Sequence, residues 1–151
     1  MEILTEGLIY TFIVEKKITL PDGEYFILTY DDRKFLLPSS YYSDYKITPG
    51  KPLSCIVNKI NCNGKIFLEP LHPVYSKDML DCFEIFAIEQ RTKHKTKETY
   101  CVALARNSKT QKAAVLNCEN ILSYSLPFKA TCKVVKIKKA EVLLTFLLPD
   151  C

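Results

Sequence analysis

The feature that most constrains this chain is that its two halves can be laid on one another. Leu8-to-Thr29 aligns with Phe83-to-Leu104 at an offset of 75, which brings Ile13 onto Ile88, Lys16 onto Arg91 and Tyr25 onto Tyr100. At 78, Lys34-Phe35-Leu36-Leu37 meets Lys112-Ala113-Ala114-Val115, Pro49 meets Pro127 and Lys51 meets Lys129. At 77, Cys55, Val57, Lys59 and Ile60 meet Cys132, Val134, Lys136 and Ile137; at 76, Leu68 meets Leu144 and Pro73 meets Pro149. Self-similarity at a slowly drifting offset is what two copies of one fold with different loop lengths produce. The 151 residues are therefore expected to hold two domains, 1–75 and 76–151, with the junction near Val74–Leu80.

Each copy reads as five short strands. Leu8–Lys16 is rich in Ile, Tyr, Thr, Phe and Val, which suit a pleated surface. Leu20-Pro21-Asp22-Gly23 is a turn signal, and Glu24–Tyr30 alternates, with Phe26, Leu28 and Tyr30 on one face. Asp31-Asp32 leads into Arg33–Leu37. Pro38-Ser39-Ser40 ends that strand, and its serines can cap a helical turn around Tyr41–Tyr45. Pro49-Gly50 opens Pro52–Ile60, and Asn63-Gly64 is a hairpin signal before Lys65–Glu69. No helical apolar periodicity is long enough for a substantial helix, since Lys109–Ile121 is interrupted by the strand-like Ala113–Leu116. The order of three strands, a short helical turn and a two-strand hairpin gives an all-β chain of two tandem five-stranded Greek-key barrels.

Composition removes several classes. The chain is 48% hydrophobic and 25% charged, well outside the disordered range. No apolar run approaches the ~18–20 residues of a membrane helix. An acidic N-terminus, with Leu8–Val14 followed by Glu15-Lys16-Lys17, reverses the order of a secretory leader, so a cytoplasmic protein is expected. Its seven cysteines are odd in number and none is spaced for zinc or an exported disulfide framework, so reduced, mostly buried thiols are expected. Four glycines leave little for a phosphate-cradling loop, and neither the cysteines nor His72 and His94 form a local nucleophile–base pair. A non-enzymatic protein without cofactor or metal is the expectation.

The barrel order resembles the OB-fold, in particular the ribosomal S-one-type RNA-binding domain. The residues that carry the likeness are Phe35-Leu36-Leu37-Pro38-Ser39, Pro49-Gly50, Cys55-Ile56-Val57-Asn58-Lys59-Ile60 and the closing Lys65-Ile66-Phe67-Leu68-Glu69-Pro70. The resemblance implies a ligand face on strands two and three, flanked by the turns between strands one and two and between four and five. It also implies an aromatic on strand two, which falls at Phe26 beside Tyr25; the matching place in the second copy is Cys101 beside Tyr100.

Charge favours the second copy as the binding one. Residues 1–76 carry 8 Lys+Arg and 9 Asp+Glu, a net of −1, whereas residues 77–151 carry 13 and 8, a net of +5. Arg91, Lys93, Lys95 and Lys97 surround the first turn of that copy, Lys136, Lys138 and Lys139 its last turn, and Arg106 and Lys109 its second-to-third connection. Cations placed so would attract a phosphate backbone, so RNA or single-stranded DNA is the expected partner. The plainer reading of any one of these residues is a solvated turn. Tyr10, Phe12, Phe26, Phe67, Phe128 and Phe146 read more simply as core than as stacking platforms. The alternative function is a protein-interaction module that offers a scaffold or a sheet edge.

Overall fold

The computed structural model describes residues 3–151, and these divide into two compact units that meet between Pro73 and Val74 in the sequence. Unit 1 contains β1 (Ile9–Leu20), β2 (Gly23–Tyr30), β3 (Arg33–Pro38), a 3-10 turn at Ser40–Tyr45, β4 (Pro52–Ile60) and β5 (Ile66–Pro70). Unit 2 contains β6 (Leu80–Thr92), β7 (Thr99–Arg106), β8 (Ala113–Val115), a 3-10 turn at Cys118–Asn120, β9 (Phe128–Lys138) and β10 (Glu141–Leu148). The chain is all-β, with one five-stranded sheet in each unit. Among the described residues no helix is long and apolar enough to cross a membrane.

Both units share one pairing scheme. The first strand pairs antiparallel with the second and the fourth, the second with the third, and the fourth with the fifth. Both first strands carry a register shift, between Val14 and Lys16 and between Ile85 and Ala87. The registers place Leu53 opposite Phe12 and Ala130 opposite Phe83, so the buried pair Phe12 and Val14 corresponds to Phe83 and Ile85. That equivalence is an offset of 71, not the 75 read from the sequence. On the second strand Phe26 and Leu28 correspond to Ala103 and Ala105, an offset of 77, all four being buried. Two residues separate the paired Leu20 and Gly23, whereas eight separate their counterparts Arg91 and Tyr100. The second copy therefore carries six additional residues in its first turn. The offsets of 78, 77 and 76 on the later strands agree with the ladders.

The units differ at their edges. In unit 2, β10 pairs in parallel with β8 as well as antiparallel with β9, so the order β10-β8-β7-β6-β9 returns on itself. In unit 1 the order β3-β2-β1-β4-β5 leaves β3 and β5 as edges, where the repeat had led us to expect a closed barrel in both copies. Two local differences account for it. The closing bond from Leu116 N to Leu144 O (2.8 Å) has Pro38 at the donor position in unit 1, and proline has no N–H. The small Ala113 and Ala114 of β8 are replaced by the bulky Phe35 and Leu36.

Alternation along the strands sends Phe12, Val14, Leu28, Leu37 and Val57 into the core of unit 1, and Phe83, Ile85, Val115, Val134 and Leu144 into that of unit 2. Cys55 and Cys132, equivalent in the repeat, are both fully buried at 0% exposure and pack as small hydrophobes. Tyr42 is buried and donates to Oε1 of the buried Glu69 (3.0 Å), next to the half-buried Tyr45. Ser39 makes no side-chain cap; its hydroxyl donates instead to Glu24 O (3.2 Å). Asn63-Gly64 lies in a longer connection than a two-residue hairpin, with Ile60 opposite Ile66 and Asn61 Oδ1 accepting from Lys65 N at 2.8 Å. Gly64 supplies the positive φ (85°) which that connection requires. The cysteine expectation fails at one place. Cys82 and Cys151 form a disulfide across 69 residues, at a Cα separation of 5.8 Å. Strand pairing across the unit brings them together, which no local spacing could reveal.

Candidate nucleic-acid interface

The extended first turn of unit 2 is a defined structure. Lys93 N donates to Glu98 O (2.9 Å) and Lys97 N to Lys93 O (2.8 Å), with Lys97 in the left-handed region at φ 58°. Lys93, His94, Lys95 and Lys97 are all exposed, and Lys93 Nζ lies 5.9 Å from the centre of the exposed Tyr100 ring. The last turn is tighter. Lys138 pairs with Glu141, and Lys139 and Ala140 between them both have positive φ (51° and 67°), the shape of a hairpin turn matched to strand twist. Lys136 and Lys138 lie two apart on β9 and are exposed.

Arg91 joins the two turns at their bases. Its Nη1 and Nη2 donate to Glu141 Oε1 and Oε2 at 2.6 and 2.7 Å, and its Nε to Glu89 Oε2 at 2.7 Å. Glu141 is the residue after Lys139-Ala140, and Arg91 stands just before the extended turn. The bases of the two lysine-bearing turns are thus joined on unit 2. The carboxylates of Glu141 and Glu89 hold the Arg91 guanidinium more firmly protonated than usual. Arg91 is therefore engaged internally; its part is to fix the turns rather than to present a charge.

The remaining candidates separate from this group. Arg106 pairs with Glu84 through Nε and Nη2, both at 2.9 Å from Oε1, and its guanidinium lies over the Phe86 ring at 4.2 Å. Lys109 Nζ is 2.8 Å from Asp81 Oδ2. Glu84–Arg106 closes the opposite end of the β6–β7 ladder from Thr92–Thr99, so Arg106 and Lys109 are away from the two turns. In unit 1, Phe26 is 7% exposed, and a ring enclosed to that degree cannot stack on a base. Tyr25 faces the other way, half-buried, with its hydroxyl donating to Asp22 Oδ2 at 2.7 Å. The register also moves the counterpart of Phe26 from Cys101 to Ala103.

One residue near the turns was not singled out from sequence. Lys112 Nζ donates to Lys139 O at 3.0 Å, and Lys112 O accepts from Val142 N at 3.0 Å, so this lysine reaches the last turn from the start of β8. Its match to Lys34 in the repeat was the available signal, but only the parallel β8–β10 ladder shows where it lies. No group of three or more His, Cys, Asp or Glu side chains able to hold a metal occurs among the described residues. No protein-family model, curated protein or solved structure matches the chain.

Proposed function

We propose that this is a non-enzymatic protein that binds RNA or single-stranded DNA through unit 2, read as an OB-like Greek-key barrel. The observation that supports the reading is the Arg91–Glu141 pair, which joins the bases of the turn carrying Lys93, Lys95 and Lys97 and of the turn beside Lys136, Lys138 and Lys139. The returning strand order of unit 2, with a 3-10 turn between its third and fourth strands, supports the fold reading. Exposed lysines such as Lys93, Lys95, Lys97, Lys136 and Lys138 are point charges suited to a phosphate backbone, and exposed Tyr100 beside Lys93 offers one stacking face. The first turn of this copy, longer by six residues, carries three of the six lysines.

Fluorescence anisotropy with 15-nucleotide oligouridylate and oligothymidylate tests the proposal. Replacing Lys93, Lys95, Lys138 and Lys139 together by Gln should abolish binding, whereas Arg106→Gln and Lys109→Gln should leave it within about twofold. Absence of binding at low salt, or equal loss from both groups of variants, contradicts it.

A further inference from the structure

The edges of unit 1 suggest a second ligand, independent of the reading of unit 2. In unit 2, Ala113, Ala114 and Val115 pair in parallel with Val142, Leu143 and Leu144. Their counterparts are Phe35, Leu36 and Leu37 on β3 and Ile66, Phe67 and Leu68 on β5, which do not pair with one another. Phe35 faces inward, its ring 5.5 Å from that of the buried Phe12, and Leu37 and Leu68 are buried. Bulk on the inner side and the missing N–H of Pro38 keep the two strands from making the ladder that unit 2 makes. Each edge is left with main-chain groups that have no ladder partner among the described residues.

An unpaired strand edge is a template for another strand, and natural proteins usually blunt it. Lys34 and Pro38 on β3 and Lys65 beside β5 are such devices, yet apolar side chains lie exposed between them: Leu36 is 51% exposed on β3, and Phe67 is 41% exposed on β5. Exposed lysines stand beside them. Lys34, two residues before Leu36, shares Glu15 at 3.3 Å; Lys65 lies 5.0 Å from the Phe67 ring; exposed Lys59 pairs across the ladder with Phe67. Of the carboxylates, Glu69 is buried against Tyr42, Glu15 is taken by Lys34, and Asp31 and Asp32 lie in the turn before β3.

We infer that the gap between β3 and β5 takes an extended, acidic segment of a partner protein as an added β-strand, in the place where unit 2 pairs its own strands. Main-chain hydrogen bonds to Leu36 and to Ile66–Leu68 hold the segment. Its apolar side chains lie on Leu36 and Phe67, and its carboxylates face Lys59 and Lys65. This is strand addition, in which the backbone gives affinity and alternate side chains give specificity.

The test uses the full chain and a fluorescein-labelled decapeptide of alternating valine and glutamate. Saturable binding is expected, at least about tenfold tighter than for the valine–lysine counterpart. Leu36→Pro, which removes the central donor of the β3 edge, should weaken it at least about tenfold and leave oligouridylate binding unchanged. Should that variant not fold, peptides N-methylated on every valine or on every glutamate serve with the unaltered protein, and at least one form should lose binding. Equal binding of both charge patterns, undiminished binding of both N-methylated forms, or no saturation overturns the inference. A concentration-dependent dimer that the glutamate peptide does not dissociate assigns the edge to a second copy, and also overturns it.

Discussion

Arg91 and Glu141, fifty residues apart, meet in a bidentate pair with both N–O distances under 2.8 Å. Their side chains are 26% and 16% exposed, so the pair is partly withdrawn from water. Charge-assisted forks of this kind are short, directional and stronger than neutral hydrogen bonds. Their effect here is positional. Two turns on separate hairpins are joined at their bases through this pair.

Glu141→Gln tests that structural role. It removes the charge while keeping the shape, and should lower the unfolding free energy by about 1.5–3 kcal/mol, the range for hydrogen bonds to charged groups. Urea denaturation followed by circular dichroism measures it. An unchanged midpoint would mean that the pair does not hold the turns.

In unit 1, two tyrosines in the same 3-10 turn should respond oppositely. Tyr42 donates to buried Glu69, which is 3% exposed, whereas Tyr45 Oη is buried with no hydrogen-bond partner among the described residues. Tyr42→Phe withdraws a donor from a buried carboxylate and should cost about 1–3 kcal/mol. Tyr45→Phe removes an unsatisfied group and should be neutral or stabilising. Equal destabilisation by the two would contradict the geometry.

Stability should fall in alkali. Burial raises the pKa of Tyr42 and Tyr45 and pushes Tyr75 and Cys132 up to about 12. Their unfolded values lie near 10 for tyrosine and ~8.5 for cysteine. Above those values the unfolded chain has released protons that the folded chain still holds, so stability decreases with rising pH. Their contribution is complete below about pH 8.5 and is lost progressively toward pH 12. Urea midpoints at pH 8 and pH 10.5 should differ, the second being lower; identical midpoints would contradict it.

Thiol chemistry separates the cysteines. Cys62 is exposed, Cys55, Cys118 and Cys132 are buried, and burial together with the hydrogen bond of its thiol with Cys101 raises Cys118 to about 12. Ellman's reagent on the native protein should show a rapid phase that Cys62→Ser removes. In denaturant without reductant the count should be five, since Cys82 and Cys151 are joined. A count of seven would contradict the disulfide.

Much of this fold was legible because hydrophobic alternation and turn chemistry are local. Pro52–Ile60 agrees with β4 residue for residue, and the inward set Phe26 and Leu28 follows from alternation alone. What was not legible depends on pairing between distant segments. Identities such as Tyr25 with Tyr100 drew the first alignment to 75, while the ladders put Phe12 on Phe83 and place the added residues in the basic turn. Sequence also counted Arg91, Arg106 and Lys109 as available charges, because Glu141, Glu84 and Asp81 are 22 to 50 residues from them. Lys95 and Lys138, at and beside the turns, are exposed, as expected of turn lysines.

The most direct test of the central claim is the salt dependence of oligouridylate binding. If Lys93, Lys95, Lys97, Lys136 and Lys138 each meet a phosphate, log affinity against log salt should fall with a slope of about −3 to −4, as five contacts to a single strand imply. Changing Lys95 and Lys138 together to Gln should reduce that slope by about 1.4, whereas Arg106→Gln should not alter it. A slope near zero, or one unaffected by the lysine changes, would contradict nucleic-acid binding by these turns.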